Sequence, residues 1–302
     1  MLFRSPTAEP GRFFAKDPCV IRFGGQYFLY FSKQLIEETD GDRFIIGIAV
    51  SGDLENWEEI GSISPEQPAE GRGLAAPGAI VLNGIIHLFY QSYGQFPRDY
   101  ICHATSVDGI HFMRDETNPI IVPEGDWNAH RAIDADVVVF GDELFLYWAT
   151  RDPEMKIQML GISSAKIGSD FRRDSWVQRC AGPILKPEMP WEQECIEAPA
   201  AFTKNGRMYL FYAGAYNCSP QQIGIAVSTD GTHFSRLLDT PLLANGPEGS
   251  WNASESGHPY IFEDDDEKVY LFYQGSPDKG KNWFISRAEI RFDGKGIPSV
   301  CS

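Results

Sequence analysis

Met208-Tyr-Leu-Phe-Tyr212 returns almost unchanged as Val269-Tyr-Leu-Phe-Tyr273, and three more runs share its character: Tyr27-Phe-Leu-Tyr-Phe31, His87-Leu-Phe-Tyr90 and Leu144-Phe-Leu-Tyr-Trp148. They recur at roughly 60 residues, within the range of repeat architectures. Each follows a turn signal: Gly24-Gly25, Asn83-Gly84, Gly141-Asp142, Asn205-Gly206 or Asp264-Asp-Asp266. An apolar run such as Cys19-Val-Ile21 or Val137-Val-Val139 precedes that turn, so the local reading is strand, turn, strand. A third apolar segment follows, as in Ile45-Ile-Gly-Ile-Ala-Val50, Tyr100-Ile-Cys-His-Ala-Thr105 and Gln222-Ile-Gly-Ile-Ala-Val227. A Ser/Asp/Gly turn closed by an aromatic comes next: Ser51-Gly-Asp-Leu-Glu-Asn-Trp57, Ser106-Val-Asp-Gly-Ile-His-Phe112 and Ser228-Thr-Asp-Gly-Thr-His-Phe234. It leads to a fourth strand, which makes each unit a four-stranded antiparallel meander.

Five such units predict an all-β, five-bladed β-propeller of four-stranded antiparallel blades, a single domain over residues 1–302. The links repeat too: Pro123-Glu-Gly-Asp-Trp-Asn128, Pro187-Glu-Met-Pro-Trp-Glu192 and Pro247-Glu-Gly-Ser-Trp-Asn252. A pair of β-sandwiches is the other architecture for so many strands, but near-constant spacing favours the ring. Long helical periodicity with caps is absent.

Composition narrows the partners. The chain has 302 residues, 43% hydrophobic and 13% aromatic, with 26 Lys and Arg against 42 Asp and Glu, for a net charge of −16. Such a surface repels phosphate backbones and anionic lipids, so neither nucleic acid nor membrane is an expected partner. The six cysteines, Cys19, Cys102, Cys180, Cys195, Cys218 and Cys301, show no CxxC pair and read as free thiols. The first residues carry no apolar leader and no apolar run nears the ~18 residues of a membrane span, so a cytoplasmic location is expected, or a secreted one if a leader has been removed. Oligomeric state is open at this level.

Counting back from the last aromatic of each run, by 14 residues in the first three units and 15 in the last two, reaches Asp17, Ala76, Asp134, Glu197 and His258. Proline follows directly or one residue later in four of the five. Because first strands surround a propeller's channel, these positions are expected to meet at one end of it. Single acids at strand starts are ordinary turn residues, but three carboxylates gathered in one pocket raise one another's pKa and supply both an acid and a base. Asp136 shares a strand face with Asp134 by alternation; the register favours Asp134. Glycoside hydrolysis needs this inventory, one carboxylic acid for the leaving oxygen and one carboxylate for water or for direct attack. No GxSxG, HExxH, P-loop or GxGxxG motif offers a competing chemistry.

Through Asp17-Pro18, Ala76-Pro77, Ile133-Asp134, Glu197-Ala-Pro199 and Gly257-His258, in that order and blade register, the chain resembles glycoside hydrolase family 43, the arabinanases and β-xylosidases. It is more distantly similar to β-fructosidases. The resemblance implies inversion of configuration, with Asp17 as general base, Glu197 as general acid and Asp134 tuning and orienting that acid. It places His258 in the channel near water or calcium, as a substrate-side or metal-linked group, with no cofactor required beyond that possible structural calcium. Where the family often has His and Trp, this chain has Ala15 and Ala75. The fructosidase signature Asn-Asp-Pro-Asn is absent around Asp17, and Arg151-Asp-Pro153 reads as a loop after the second strand of unit three.

Sugar rings stack on aromatic faces, which makes Trp127, Trp191 and Trp251 candidate pocket walls, with wedging between blades as the other reading. Phe14, Phe13 and Arg131 are further candidates for substrate contact. The main expectation is an exo-acting, inverting glycosidase on short plant-type oligosaccharides with arabinofuranosyl, xylosyl or galactosyl linkages. A retaining fructosidase-like hydrolase and a glycoside phosphorylase are the enzymatic alternatives; the latter needs basic side chains in the pocket, for which Arg131 and Lys16 are the visible candidates. A carbohydrate-binding propeller without turnover is the non-enzymatic one.

Overall fold

The five aromatic runs are second strands of five separate four-stranded sheets in the computed structural model, which describes residues 1–37 and 41–301. Blade one contains β1 (Lys16–Phe23), β2 (Gln26–Glu37), β3 (Gly41–Ser51) and β4 (Glu58–Ile63). Blade two has β5 (Gly73–Leu82), β6 (Ile85–Tyr93), β7 (Ile101–Ser106) and β8 (Met113–Arg114). Blade three has β9 (Ile133–Phe140), β10 (Glu143–Arg151), β11 (Gln158–Lys166) and β12 (Val177–Gln178). Blade four runs through β13 (Ile196–Lys204), β14 (Arg207–Gly214), β15 (Gln222–Ser228) and β16 (Ser235–Arg236), and blade five through β17 (Glu255–Glu263), β18 (Val269–Ser276), β19 (Phe284–Phe292) and β20 (Pro298–Val300). Every sheet is an antiparallel meander in sequence order, and the first strands touch around a closed ring, β1 against β5, β5 against β9, and so on to β17 against β1. The chain is an all-β, five-bladed β-propeller.

Burial explains the aromatic runs. In β14, Met208, Leu210 and Tyr212 face blade three, while Tyr209 and Phe211 face blade five. Both faces of the strand are therefore interior, which removes the polar alternation of a half-exposed strand. The core is divided accordingly into five apolar clusters, one at each interface between consecutive blades. Each fully buried Leu, Ile, Val, Met or Phe in them contributes about 1.5–3 kcal/mol.

Tyrosines also stitch blades together. The hydroxyls of Tyr30, Tyr147 and Tyr209 donate to the carbonyls of Gly109, Gly231 and Gly296 in the next blade's last turn, at 3.0, 2.7 and 2.9 Å. Those glycines have φ of 81°, 76° and 80°, and a Cβ at Gly109 would stand 2.6 Å from the Phe28 ring, so the turn admits no other residue cheaply.

The ring closes through the N-terminal segment. In blades two, three and four the start of the third strand pairs with a residue after the fourth: Ile101 with Ile121, Leu160 with Leu185, Ile223 with Leu243. In blade five that place, opposite Ile285, is taken by Phe3, whose ring packs edge-on against Phe31 of blade one at 4.9 Å.

Candidate active site

Each first strand enters its blade through a bulge at which one residue adopts positive φ. Those residues are Asp17 (54°), Ala76 (46°), Asp134 (55°), Ala198 (50°) and His258 (46°). Non-glycine residues held there cost about 1–3 kcal/mol each, and such strain gathers at functional sites. The neighbouring blade caps the freed backbone N–H in four of the five: Asp17 N–H donates to Gln274 Oε1 at 3.1 Å, Ala76 N–H to Ser32 Oγ at 2.9 Å, Asp134 N–H to Gln91 Oε1 at 2.9 Å and Ala198 N–H to Asp134 Oδ2 at 3.3 Å.

The blade-four register is thereby corrected by one residue. Glu197 pairs with Ala213 just before the bulge, as Lys16 pairs with Ser32 and Ile133 with Ala149, so the repeat position belongs to Ala198. The turn over 264–268 lengthens the blade-five count, whereas the two-residue turn 205–206 of blade four matches those of the first three blades. Glu197 nevertheless turns its carboxyl inward.

Asp17, Asp134, Glu197 and His258 line one cavity of about 260 Å³, together with Phe14 and Arg131. The aromatic wall is Phe14, Phe44 and Tyr93, with Phe14 5.3 Å from Phe44 and Phe44 4.4 Å from Tyr93. It stands beside Ala75, where no ring is available. Phe13 packs on Phe284 at 5.8 Å and takes no part in the wall.

The three link tryptophans do not reach this cavity, which corrects their assignment as pocket walls. Trp127 stacks on Trp148 and Trp191 on Tyr212, and Trp251 packs at a tilt on Tyr273, each on the last aromatic of its own blade's second strand. Trp191 and Trp251 occupy the space over Gly214 and Gly275, where a Cβ would fall 2.2 and 2.3 Å from the indole. They fill blades.

Electrostatics divide the carboxylates. Burial works against ionised Asp17, but His258 Nε2 at 3.5 Å, Lys16, the Ser32 hydroxyl and the Ala76 N–H outweigh it and hold Asp17 below the usual range. Burial pushes His258 down to about 4, so at neutral pH Lys16 is the standing cation beside Asp17. Asp134 is driven the other way, by burial first and then by repulsion from Glu197 and Asp17. Glu197 is also raised, chiefly by burial, although Gln221 and the pocket cations oppose the shift. The pair Asp134–Glu197 therefore retains a proton to higher pH than ordinary carboxyls and titrates as a unit.

Both Glu197 oxygens accept from glutamines, Oε1 from Gln221 Nε2 at 2.6 Å and Oε2 from Gln158 Nε2. Gln158 Oε1 in turn accepts from Arg151 Nε at 3.0 Å and Arg131 Nη1 at 3.5 Å. Arg151 is thus no loop residue; it ends β10 with its guanidinium in the pocket. The sequence held a signal for part of this frame. Ser32, Gln91 and Gln274 directly follow the aromatic runs, where blades three and four have Ala149 and Ala213. Gln158, Gln221 and Arg151 carried no repeat signal.

Asp136 lies beyond the bulge, outside the cavity; its carboxylate accepts from Ala201 N–H at 2.6 Å and burial pushes it up to about 7. A channel calcium at His258 would have to draw most of its ligands from backbone or amide oxygens and water. Calcium takes six to eight oxygens, and among the described residues no three His, Cys, Asp or Glu side chains gather closely enough to hold a metal.

Comparison with known proteins agrees with the fold. The family model for glycosyl hydrolases family 43 matches residues 9–295. A 1,2-beta-oligomannan phosphorylase of Thermoanaerobacter sp. (strain X514) is 27% identical over 234 residues, 60% of this chain and 77% of that protein. A thermostable family-43 glycoside hydrolase superposes with a TM-score of 0.75 at 19% identity, covering 95% of this chain and 93% of the other. The alpha-L-arabinofuranosidase of Lactobacillus brevis does so with a TM-score of 0.73 at 18% identity over 94% and 93%. With its five blades, its gathered carboxylates and a family match across nearly its whole length, the chain belongs to glycosyl hydrolases family 43 and is a glycosidase.

Proposed function

We propose that this glycosidase removes single terminal sugars, with inversion, from short plant-type oligosaccharides carrying arabinofuranosyl, xylosyl or galactosyl linkages. The observation that carries the reading is the electrostatic split of the pocket, with Asp17 held ionised on blade one and a proton retained by Asp134–Glu197 on blades three and four. Water beside Asp17 attacks the anomeric carbon and yields its proton to that carboxylate. The bond to the leaving oxygen breaks as Glu197 delivers a proton to it, and Asp134 supports the protonated state of Glu197 by repulsion. Phe14, Phe44 and Tyr93 offer the ring its apolar face.

Two features support the finer points. Blades one and four stand two steps apart in a ring of five, which favours the ~6.5–9.5 Å carboxyl separation of inverting enzymes over the ~5–5.5 Å of retaining ones. A cavity of about 260 Å³ suits one sugar ring better than a threaded chain. NMR of the first product formed, before mutarotation, is expected to show the inverted anomer; retention would replace this mechanism with the fructosidase-like one.

Phosphorolysis is the second reading, favoured by the likeness to a protein named as a phosphorylase and by Lys16, Arg131 and Arg151 in the pocket. A panel of p-nitrophenyl glycosides, run with and without phosphate, separates the two. Undiminished cleavage in phosphate-free buffer, with no sugar 1-phosphate formed, rejects it.

A further inference from the structure

The pocket cations of this acidic chain are unevenly placed. Lys16 is already engaged beside Asp17: its Nζ stands 4.4 Å above the Trp283 ring and 3.4 Å from Asn217 Oδ1, with Glu255 as a further neighbour. Arg131 and Arg151 stand on the opposite side, at blade three, and both donate to the single oxygen Gln158 Oε1. Two guanidiniums on one acceptor repel each other. Arg131, 8% exposed, has Asp99 3.5 Å from its Nε, which makes no hydrogen bond, and it faces the pocket carboxylates Asp134 and Glu197 as well. Among the described residues Arg151 forms no ion pair; its guanidinium lies over Tyr216 at 5.1 Å and over Phe96 at 5.7 Å. Arg131 approaches the same Phe96 ring at 5.6 Å, and that ring is 60% exposed. The two cations therefore flank an open aromatic platform at the pocket mouth.

We propose that Arg131 and Arg151 form an oxyanion subsite at the mouth of the pocket, which takes a carboxylate or phosphate group carried by the leaving-group sugar. Guanidinium forks match both groups in geometry. The side of the reaction follows from the connection Arg151–Gln158–Glu197, and this step rests on the reading of Glu197 as the acid. An anion held there lies next to the leaving oxygen. An attacking inorganic phosphate would have to enter beside Asp17, whose charge repels it and where Lys16 is the standing cation.

Isothermal titration of the intact protein with glucuronate, inorganic phosphate and neutral glucose, at constant ionic strength, tests the subsite without measuring turnover. The acidic sugar and phosphate are expected to bind more tightly than glucose, and Arg151→Gln should weaken them about tenfold or more, as for loss of a charged hydrogen bond. Arg151→Lys should restore part of the affinity. Equal binding of all three probes, or anion binding unchanged in Arg151→Gln with its fold intact by circular dichroism, overturns the proposal. Phosphate binding coupled to phosphate-dependent cleavage overturns the leaving-group assignment and makes the anion a co-substrate. Because the titration reads no catalysis, an inactive Glu197→Gln protein that still binds glucuronate separates failure of the catalytic reading from failure of this one.

Discussion

Glu197 sits between two glutamine amides, Gln158 and Gln221, while Asp17 sits among an imidazole, an ammonium, a hydroxyl and a backbone N–H; burial acts on both, but only Asp17 has enough partners to overcome it. Removing either group should lower kcat by at least ~100-fold, so Glu197→Gln and Asp17→Asn are each expected to do so with circular dichroism unchanged. Full activity of Glu197→Gln on a poor leaving group would contradict its role. Asp134 acts on the pH profile. In the proposed mechanism activity requires ionised Asp17, whose depressed pKa puts the acidic limb below the ordinary carboxylate range, and a proton on the Asp134–Glu197 pair, whose raised pKa moves the basic limb up. Burial is the chief cause that raises Glu197, and Asp134→Asn removes the neighbouring carboxyl with which it shares a proton, so the basic limb of kcat should move to lower pH. A rate loss with an unmoved limb would reduce Asp134 to a positioning role.

At the scale of the element, the links before blades two and four carry one strap. Glu70 and Glu192 end short 3-10 turns, Pro68–Glu70 and Pro190–Glu192, and are fully buried. Each accepts from the tyrosine 20 residues on, Tyr90 at 2.6 Å and Tyr212 at 2.7 Å, and from the arginine 44 residues on, Arg114 and Arg236, both at 2.7 Å. The strap ties link, second strand and fourth strand together where β8 and β16 are only two residues long. Burial raises the Glu192 pKa, but Arg236, the N–H groups of Met189 and Glu188, and Tyr212 bring it below its usual value. Its contribution is therefore present above the unfolded glutamate pKa and lost as pH falls through the folded one. Glu192→Gln leaves Arg236 without its buried partner and should cost about 3–5 kcal/mol at pH 7, read by urea denaturation. The gap to wild type should narrow in acid; a gap that stays constant down to the lowest accessible pH would mean the carboxylate charge contributes nothing.

For the whole molecule, closure is the decisive event, because five blades in a row leave the outer faces of blades one and five bare. Phe3 joins them, pairing with Ile285 and packing on Phe31 at 6% exposure. Phe3→Ala is expected to cost about 3–5 kcal/mol, the range for deleting a buried ring. Hydrogen exchange should then rise first in β19 and β1, on either side of the seam, and uniform exchange across all blades would argue against a closing role.

The repeat, the blade count and the inward acids of blades one and three were legible in the sequence, because strands buried on both faces must be apolar throughout and tight turns must be glycine- or asparagine-rich. These are local demands, met within each unit of the chain. The finer assignment was not local. Whether Glu197 or Ala198 stands at the blade-four bulge depends on pairing with Ala213, and a one-residue slip leaves the apolar pattern intact. Trp127, Trp191 and Trp251 went to blade packing, and for Trp191 and Trp251 glycines on neighbouring strands make the room. Arg151, Gln158, Gln221, Phe44 and Tyr93 come from second and third strands and their loops, and they share one pocket region only after the blades are arranged around a common axis. Sequence determined the units and two of the three acids by register; tertiary structure decided what surrounds them, since the ring brings together chain segments that no spacing rule connects.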